Sequence, residues 1–386
     1  MLFVSPINGD CINCRDGEIT ENGIRLPITV QAPKGCDIYI CGAKAQELSD
    51  EANDVNSANY RAEAEIFGYK NTLLAENRTN GEQCRATVFM MTDPVNKYRL
   101  SSDDNILFLS NITKNADKYS SIFDDPYLSV YKKAHDLYGA KVHLNLFYEL
   151  DQTARSCFSE DRAYFNLSMM TDKFREEFRA NSHWLKLAFH SKSEFPRRPY
   201  QNTDTQTVTS HCAEICREIV RFAGEECISD STTIHYGALS LEGVRALRAM
   251  GFRSLTGYFD LSDDGIPMVS YYFDTDTVSH IHNRDLFVDT DEDMIFAKID
   301  RVLNIGSLDE IKQDIPEIAA DPHRGGFISL MIHEQFFYSD YRNYLPDFEE
   351  RVLFACKYLF ERGYKGTHLT ELTAEPNLRQ NRLFKK

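Results

Sequence analysis

The stretch Leu185-Lys-Leu-Ala-Phe-His190-Ser-Lys-Ser-Glu194-Phe-Pro196 is an apolar run that ends abruptly in a histidine and a carboxylate four residues apart. The apolar part predicts a buried strand, so the polar residues after it lie at the carboxyl end of that strand. Imidazole nitrogen and carboxylate oxygen are ligands that zinc and similar divalent ions accept. His190 and Glu194 are therefore candidate metal ligands, although solvated loops contain the same residue types and that interpretation stays open.

Two adjacent acids, Asp103 and Asp104, follow a second short extended run that begins at Tyr98. Neighbouring carboxylates repel each other and are tolerated where a cation or water lies between them. Such a pair can divide the roles of metal ligand and general base. An Asp before Asn-Ile-Leu-Phe-Leu is equally consistent with an N-cap of a following helix, and both interpretations are kept.

Two further histidines, His235 and His333, also follow β-prone apolar residues, and Glu334 comes directly after the second. In a barrel of parallel strands the active-site residues gather at the carboxyl ends of the strands. Four strand ends that carry polar residues would then converge on one pocket. A single histidine is more often a hydrogen-bonded core residue, so the prediction depends on the clustering.

The order of these motifs resembles that of the NodB-like polysaccharide deacetylases, which are metal-dependent carbohydrate esterases built on an irregular (β/α) barrel. Asp103 and Asp104 match the two neighbouring aspartates of the family's first motif, and Leu330 to His333 looks like its late motif, a hydrophobic strand that ends in histidine. Glu194 stands where the family has the second histidine of an i, i+4 pair. The stretch from Thr233 to Gly237 stands where the family usually has an arginine and prolines.

The resemblance implies an α/β fold with the barrel over residues 98–374, and a metal-dependent hydrolase that cleaves an amide or ester bond of a carbohydrate, in the first place a polysaccharide or amino-sugar deacetylase. It implies a divalent metal, zinc before manganese, nickel or cobalt. The implied site consists of the metal ligands Asp104, His190 and Glu194, the catalytic residues Asp103 (base) and His333 (acid), and the substrate-binding residues His235, Tyr236 and Glu334. The two departures from the family pattern favour an alternative, a non-catalytic barrel that binds carbohydrate or serves assembly. Glycoside hydrolysis by two facing carboxylates is a third hypothesis.

The first 97 residues have a different pattern, because short β-prone runs alternate with turn signals such as Asn8-Gly9 and Asn80-Gly81. This pattern predicts a small antiparallel sandwich, and we expect an immunoglobulin-like accessory domain over residues 1–97. From residue 98 onward helical and strand patterns alternate, which favours parallel strands. The polar, basic segment 375–386 is predicted to be a mobile tail.

The composition of the chain limits the classes of partner that it is expected to bind. The chain has 386 residues and a formal net charge of -16, which argues against nucleic acid or an anionic membrane as a partner. The sequence has no apolar run of transmembrane length, and its start lacks the features of a signal peptide, so we expect a cytoplasmic protein. Ten cysteines in such a chain are expected to be thiols, with a structural zinc site at Cys11, Cys14, Cys36 and Cys41 as the less favoured alternative. Assembly of the chain into a homo-oligomer is an alternative that stays open.

Overall fold

The structure is a computed structural model that describes residues 1–49, 56–91, 93, 95–262, 264, 265, 268 and 270–373. Up to Thr370 the chain divides into two compact units. The first contains Met1–Val95 and Leu286–Met294, and the second contains Asn96–Asp285 and Ile295–Thr370. The predicted second domain, 98–374, is thus interrupted by a segment that belongs to the first unit. The predicted mobile tail, 375–386, lies outside the described residues.

The described strands are, in chain order, β1 Leu2–Ser5, β2 Cys11–Ile12, β3 Glu18–Ile19, β4 Gly23–Pro33, β5 Ile38–Ile40, β6 Ala43–Lys44, β7 Gln46–Glu47, β8 Ser57–Phe67, β9 Lys70–Asn77, β10 Gln83–Met90, β11 Lys97–Asn105, β12 Val142–Phe147, β13 Glu149–Leu150, β14 Phe165–Asn166, β15 Leu185–Ser191, β16 Ser231–Thr233, β17 Ser254–Gly257, β18 Leu286–Asp289, β19 Met294–Lys298, β20 Arg301–Val302, β21 Phe327–His333 and β22 Lys365–Gly366. The described α-helices are α1 Leu107–Lys114, α2 Pro126–Tyr138, α3 Gln152–Arg155, α4 Arg175–Ala180, α5 Thr205–Phe222, α6 Leu241–Ala249, α7 Thr275–Arg284, α8 Leu308–Ala320, α9 Phe348–Glu361 and α10 Thr370–Thr373. None of them is long and apolar enough to cross a membrane.

The first unit contains two sheets around one hydrophobic core. One sheet has the strand order β1-β4-β8-β7 with β3 paired to β4, and the other has the order β2-β10-β9-β5-β6. The pairings are antiparallel except for β10 with β2. Along β4 the side chains of Ile24, Leu26, Ile28 and Val30 are buried, at the period of two that a strand with one inward face requires. The immunoglobulin-like topology stays a prediction.

The first sheet of the second unit is parallel and buried. Its strand order is β15-β12-β11-β21-β20, with β22 paired to β11. Parallel strands need crossover connections, and α2 lies in the crossover from β11 to β12. Asp125 caps the start of α2 through the backbone N–H groups of Tyr127 and Leu128, and Gly139, with φ +64°, ends it.

A second group of parallel strands, β16, β17 and β19, continues the series. On one side it meets β15, because the N–H of Ser229 donates to the carbonyl of Leu187. On the other side the chain runs from β19 directly into β20, which pairs with β21. The chain therefore returns from this group of strands to the sheet that contains β11. The predicted α/β class is confirmed, and the (β/α) barrel stays a prediction.

All ten cysteines lie in the described part of the chain and carry thiols rather than disulfides.

Candidate metal centre

The polar residues that follow the apolar runs lie at the carboxyl ends of neighbouring parallel strands. Asp103 is paired in register with His333 across β11 and β21. His190 lies near the end of β15, and His235 follows β16 by two residues. Because these strands run in the same direction, their carboxyl ends meet at one edge, as the strand-end pattern predicts.

A local irregularity of β11 lets both neighbouring acids face the same cavity. Successive side chains of a regular strand point to opposite faces, so Asp103 and Asp104 would diverge. The register of β11 against β12 shifts between Ser102 and Asn105, and Asp104 has a left-handed backbone with φ +62°. A bulge of this kind re-aims a side chain, and aspartate tolerates the left-handed region better than most residues.

Asp104, His190 and His235 form a buried cluster of three ligand atoms. The Nε2 atom of His190 lies 3.0 Å from Oδ1 of Asp104, and Nδ1 of His235 lies 3.3 Å from the same oxygen. The two ring nitrogens are 3.1 Å apart. The ring of Phe147 packs against both imidazoles, with centroid distances of 5.3 Å and 5.1 Å. Among the described residues this is the group of three or more possible ligands that could hold a metal ion.

The nitrogen of each imidazole that points away from Asp104, called the outer nitrogen here, faces a backbone carbonyl oxygen. Nδ1 of His190 donates to the carbonyl of Thr233, and Nε2 of His235 donates to the carbonyl of Glu194 at 3.0 Å. A carbonyl can only accept, so these contacts assign the proton to the outer nitrogen of each neutral ring. The inner nitrogens then carry lone pairs. With the Asp104 carboxylate, three acceptor atoms face one another at hydrogen-bond distance.

These distances fit a divalent ion. An ion about 2.1 Å from each atom, at angles between those of octahedral and tetrahedral geometry, leaves the ligand atoms about 3.0 to 3.4 Å apart. The observed separations are 3.0, 3.1 and 3.3 Å. Two imidazoles and one carboxylate are a common ligand set of zinc and other transition metals, and backbone partners on the outer nitrogens are typical of metal-bound histidines.

The electrostatics of the cluster favour a cation at its centre. Burial raises the pKa of Asp104. In the metal-free cluster, contacts in which a protonated His190 or His235 ring donates to the carboxylate, together with the charge of His333, outweigh burial and bring the pKa well below the ordinary value. Burial lowers the pKa of His190, but its contact with Asp104 and the charge of Asp103 outweigh burial and raise it. Asp104 is therefore held as an anion that requires a proton or a metal ion beside it.

A cavity of about 210 Å³ opens onto the cluster. Seven of the eight predicted site residues line it, namely Asp103, Asp104, His190, Glu194, His235, Tyr236 and His333. His333 stands further from the cluster, with Nε2 3.9 Å from Oδ2 of Asp104. Its Nδ1 donates to Oδ1 of Asn304 at 2.8 Å, which leaves Nε2 directed toward the cavity.

The third possible ligand of the cluster is His235, whereas the sequence predicts Glu194 in that role. Glu194 contributes its backbone carbonyl to His235, while its carboxyl lines the cavity. Burial and the negative charge of Asp104 raise the pKa of Glu194 to about 8. The ring nitrogen of His235 already faces Asp104 and His190, whereas the carboxyl of Glu194 lies outside the group of three facing ligand atoms.

Glu334, predicted to bind substrate, lies elsewhere. Its carboxylate accepts hydrogen bonds from the backbone N–H groups of Ile106, Leu107 and Phe108 at 2.6, 2.8 and 2.6 Å. These groups begin α1 and have no partner inside the helix. Glu334 thus caps α1 from another strand end, and its carboxylate is engaged there and not in the cavity. The prediction of an Asp cap for this helix is not met, because its N-cap residue, Ile106, has no side-chain hydrogen bond.

Other polar residues complete the site without having been predicted. Asn145 donates to Oδ1 of Asp103 at 2.6 Å, and Gln335 donates to Oδ2 of Asp104 at 2.9 Å. Asn145 lies within the buried strand Val142–Phe147, where an amide needs a hydrogen-bond partner, and a polar amide inside a strand pattern is the signal that points to it. Gln335 lies in the short 3-10 helix Glu334–Phe337 that follows β21, and its residue type gives no such signal.

Comparison with known proteins does not assign the chain to a family. No family model matches the chain, and no curated protein matches it. The chain is similar to a crystal structure of a mutant of BA3943, a CE4 family pseudoenzyme, at 10% identity over 89% of this chain and 95% of that one, with a TM-score of 0.35. It is similar to a Bacteroides ovatus GH5 xyloglucanase at 8% identity over 93% and 99%, with a TM-score of 0.26. Superpositions this loose carry no argument about function.

Proposed function

We propose that this protein is a metal-dependent hydrolase that removes an acyl group from an amide or ester of a carbohydrate. The observation that carries the proposal is the set of three facing acceptor atoms on Asp104, His190 and His235. Three such atoms about 3.1 Å apart repel one another unless a proton or a metal ion lies among them. We propose these three residues as the metal ligands and zinc as the first candidate metal.

The remaining residues have roles that follow from their position. A bound divalent ion would supply Lewis acidity, which lowers the pKa of water and polarises a carbonyl group. Asp103 lies next to Asp104 in the cavity and is held by Asn145, so its carboxylate is placed to accept a proton from water. His333 presents Nε2 to the same cavity and would carry the proton to the leaving amine or alcohol.

The size of the cavity supports an acyl group as the part of the substrate that enters it. Pockets for whole small molecules usually measure about 300 to 1,000 Å³, which exceeds the 210 Å³ found here. Tyr236 and Phe336 line the same cavity and offer apolar surfaces on which a sugar ring could pack. We therefore propose that the sugar stays at the mouth while its acyl group reaches the ligands.

For the fold, we propose an irregular (β/α) barrel in the second unit. The proposal is supported by the parallel strands β16, β17 and β19, from which the chain returns to the sheet containing β11. An immunoglobulin-like first unit and a cytoplasmic location stay predictions from the sequence.

The proposal is tested by metal content and acetate release together. Purified protein should contain or take up one equivalent of zinc, manganese, nickel or cobalt, and the loaded protein should release acetate from acetylated amino sugars or their oligomers. Asp103→Asn should keep the metal and lose acetate release, whereas Asp104→Ala should lose both. Protein that takes up no metal would overturn the proposal.

A metal-loaded protein that binds the sugars without turnover would instead support the non-catalytic alternative. Calorimetric titration with the acetylated and deacetylated forms of one oligosaccharide separates these outcomes. A hydrolase should bind both forms, whereas a binding protein for acetylated sugar should prefer the acetylated one and leave it intact.

A further inference from the structure

Two neighbouring arginines follow the strand that supplies His190. Arg197 and Arg198 lie in the connection from β15 to α5, shortly after Glu194, and both side chains are exposed. Among the residues that the structure describes, neither guanidinium group has a carboxylate at ion-pair distance or a hydrogen-bond partner. In a chain with a formal net charge of -16, two adjacent cations that stay unpaired are a local exception.

The connection that carries these arginines is held beside the cavity at both ends. At one end the backbone carbonyl of Glu194 accepts a hydrogen bond from Nε2 of His235 at 3.0 Å. At the other end Tyr200 forms a parallel β-bridge with Leu239. The two arginines lie between these fixed points, so they run alongside the stretch that follows His235. That stretch includes Tyr236, which lines the cavity.

Electrostatic effects on two cavity residues agree with this position. Burial raises the pKa of Tyr236, and the charges of Arg197 and Arg198 act in the opposite direction. Burial and the charge of Asp104 raise the pKa of Glu194 to about 8, and the charge of Arg197 opposes them. Exposed charges act only over short distances, because salt screens them beyond about 8 to 10 Å. Both guanidinium groups are therefore near the mouth of the cavity.

The metal centre does not use these two positive charges. A bound divalent ion would balance the carboxylates of Asp103 and Asp104, and a carboxyl with a pKa of about 8, that of Glu194, is mostly uncharged at neutral pH. Asp151 also lies near Glu194, but its carboxylate caps α3 through two backbone N–H groups at 2.6 and 2.8 Å. The charges of the two arginines are thus available to a ligand at the mouth.

We propose that Arg197 and Arg198 bind an anionic group of the carbohydrate, a carboxylate or a phosphate, on the acylated sugar or on the sugar next to it. This inference rests on the proposed function and specifies its substrate as an acidic carbohydrate. A guanidinium group is planar, stays charged and offers paired N–H donors that match two oxygen atoms of a carboxylate or a phosphate. The negative net charge of the chain does not prevent the contact, because salt screens charges farther away than about 8 Å.

The test compares three disaccharides that differ in one charged group. Each contains N-acetylglucosamine, linked to glucose, to glucuronic acid or to glucose 6-phosphate. Binding is measured by calorimetric titration of the zinc-loaded Asp103→Asn variant, in which the sugars should stay intact. We expect the two anionic disaccharides to bind about tenfold more tightly than the neutral one, with an advantage that decreases as salt is added. The tighter of the two identifies the anionic group.

Substitution of the arginines connects the preference to this site. With Arg197→Gln and Arg198→Gln added together, the protein should bind all three disaccharides alike. Arg217→Gln removes a cation from the exposed surface of α5 and serves as the matched control, so the preference should remain. Circular dichroism of each variant shows whether it is folded.

The outcomes separate this inference from the proposed function. Equal affinities for the three disaccharides, or a preference that survives the loss of both arginines, would overturn the inference while acetate release by the parent protein still supports a hydrolase. Protein that takes up no zinc is titrated in the same way. A preference that depends on the arginines would then support acidic carbohydrate as the ligand of a binding protein, and failure of all three disaccharides to bind would overturn both proposals.

Discussion

Substitution of His235 by alanine should remove the metal from the centre, because its imidazole supplies one of three facing ligand atoms. Nδ1 of His235 lies 3.3 Å from Asp104 and 3.1 Å from His190, so its loss opens one side of the cluster. Glu194 lines the same cavity and is the ligand that the sequence pattern predicts. The variants His235→Ala and Glu194→Gln therefore separate the two assignments.

The size of the effect can be worked out from the number of ligands. Zinc sites with four protein ligands bind with about 10 to 16 kcal/mol, or about 2.5 to 4 kcal/mol per ligand. Loss of one ligand from Asp104, His190 and His235 should therefore weaken binding by about 3 kcal/mol. At about 1.4 kcal/mol for each factor of ten, the dissociation constant should rise about 100-fold.

The assay is competition for zinc against a chromophoric chelator at neutral pH. We expect the dissociation constant of His235→Ala to rise about 100-fold and that of Glu194→Gln to stay within about threefold of the parent. Circular dichroism and the thermal midpoint of each metal-free variant serve as folding controls. A folded His235→Ala variant that kept its zinc affinity would refute the assignment of His235 as a ligand. Loss of zinc affinity in Glu194→Gln would restore the ligand set predicted from the sequence.

Three further outcomes can be measured on single variants. Asn145→Ala removes the 2.6 Å donor to Asp103 and should lower acetate release about 10- to 100-fold while zinc affinity changes little, and a fall in both would contradict the assigned role. Gly23→Ala would place a Cβ 1.9 Å from the carbonyl oxygen of Ile66, so urea denaturation should show a loss of about 1 to 3 kcal/mol. Burial, together with the charge of a nearby aspartate, raises the pKa of Asp285 well above its ordinary value, so ionisation destabilises the folded state as the pH rises above about 4. Asp285→Asn removes that loss, and its stability relative to the parent should increase between about pH 5 and about pH 8.

The strand ends of the site could be predicted because the signal is local. Each apolar run that stops at a polar residue marks a strand and its end, which is how Asp103, His190 and His333 were found. The same local signal does not show which ligand atoms converge, because their convergence depends on how the loop after each strand turns. Glu194 follows its strand by three residues, and the chain there presents the backbone carbonyl of Glu194 to His235. No pattern of residue types distinguishes that arrangement from a carboxylate ligand.

Contacts between segments that lie far apart in the chain also could not be predicted from the sequence patterns. The segment Leu286–Met294 belongs to the first unit although it lies deep within the second in chain order. Its apolar and polar residues resemble those of any short strand, so local patterns do not indicate which unit it joins. Glu334 is a similar case, because the helix start that it caps lies more than 200 positions away in the chain, at Ile106 to Phe108.

In β12 the polar side chains point into the protein, so the periodicity of this strand alone would assign its polar face wrongly to the solvent. In β12, His143 and Asn145 alternate with apolar residues, a pattern that ordinarily predicts one face in water. Yet every residue of β12 is buried, and the polar face points inward. Asn145 then supports Asp103 beside the metal centre, and His143 is paired in register with Ser101 of β11. Burial of an amide costs free energy unless its hydrogen bonds are made, and Asn145 makes them to Asp103 and Thr233, so we infer that the inward-facing Asn145 is a feature of the site.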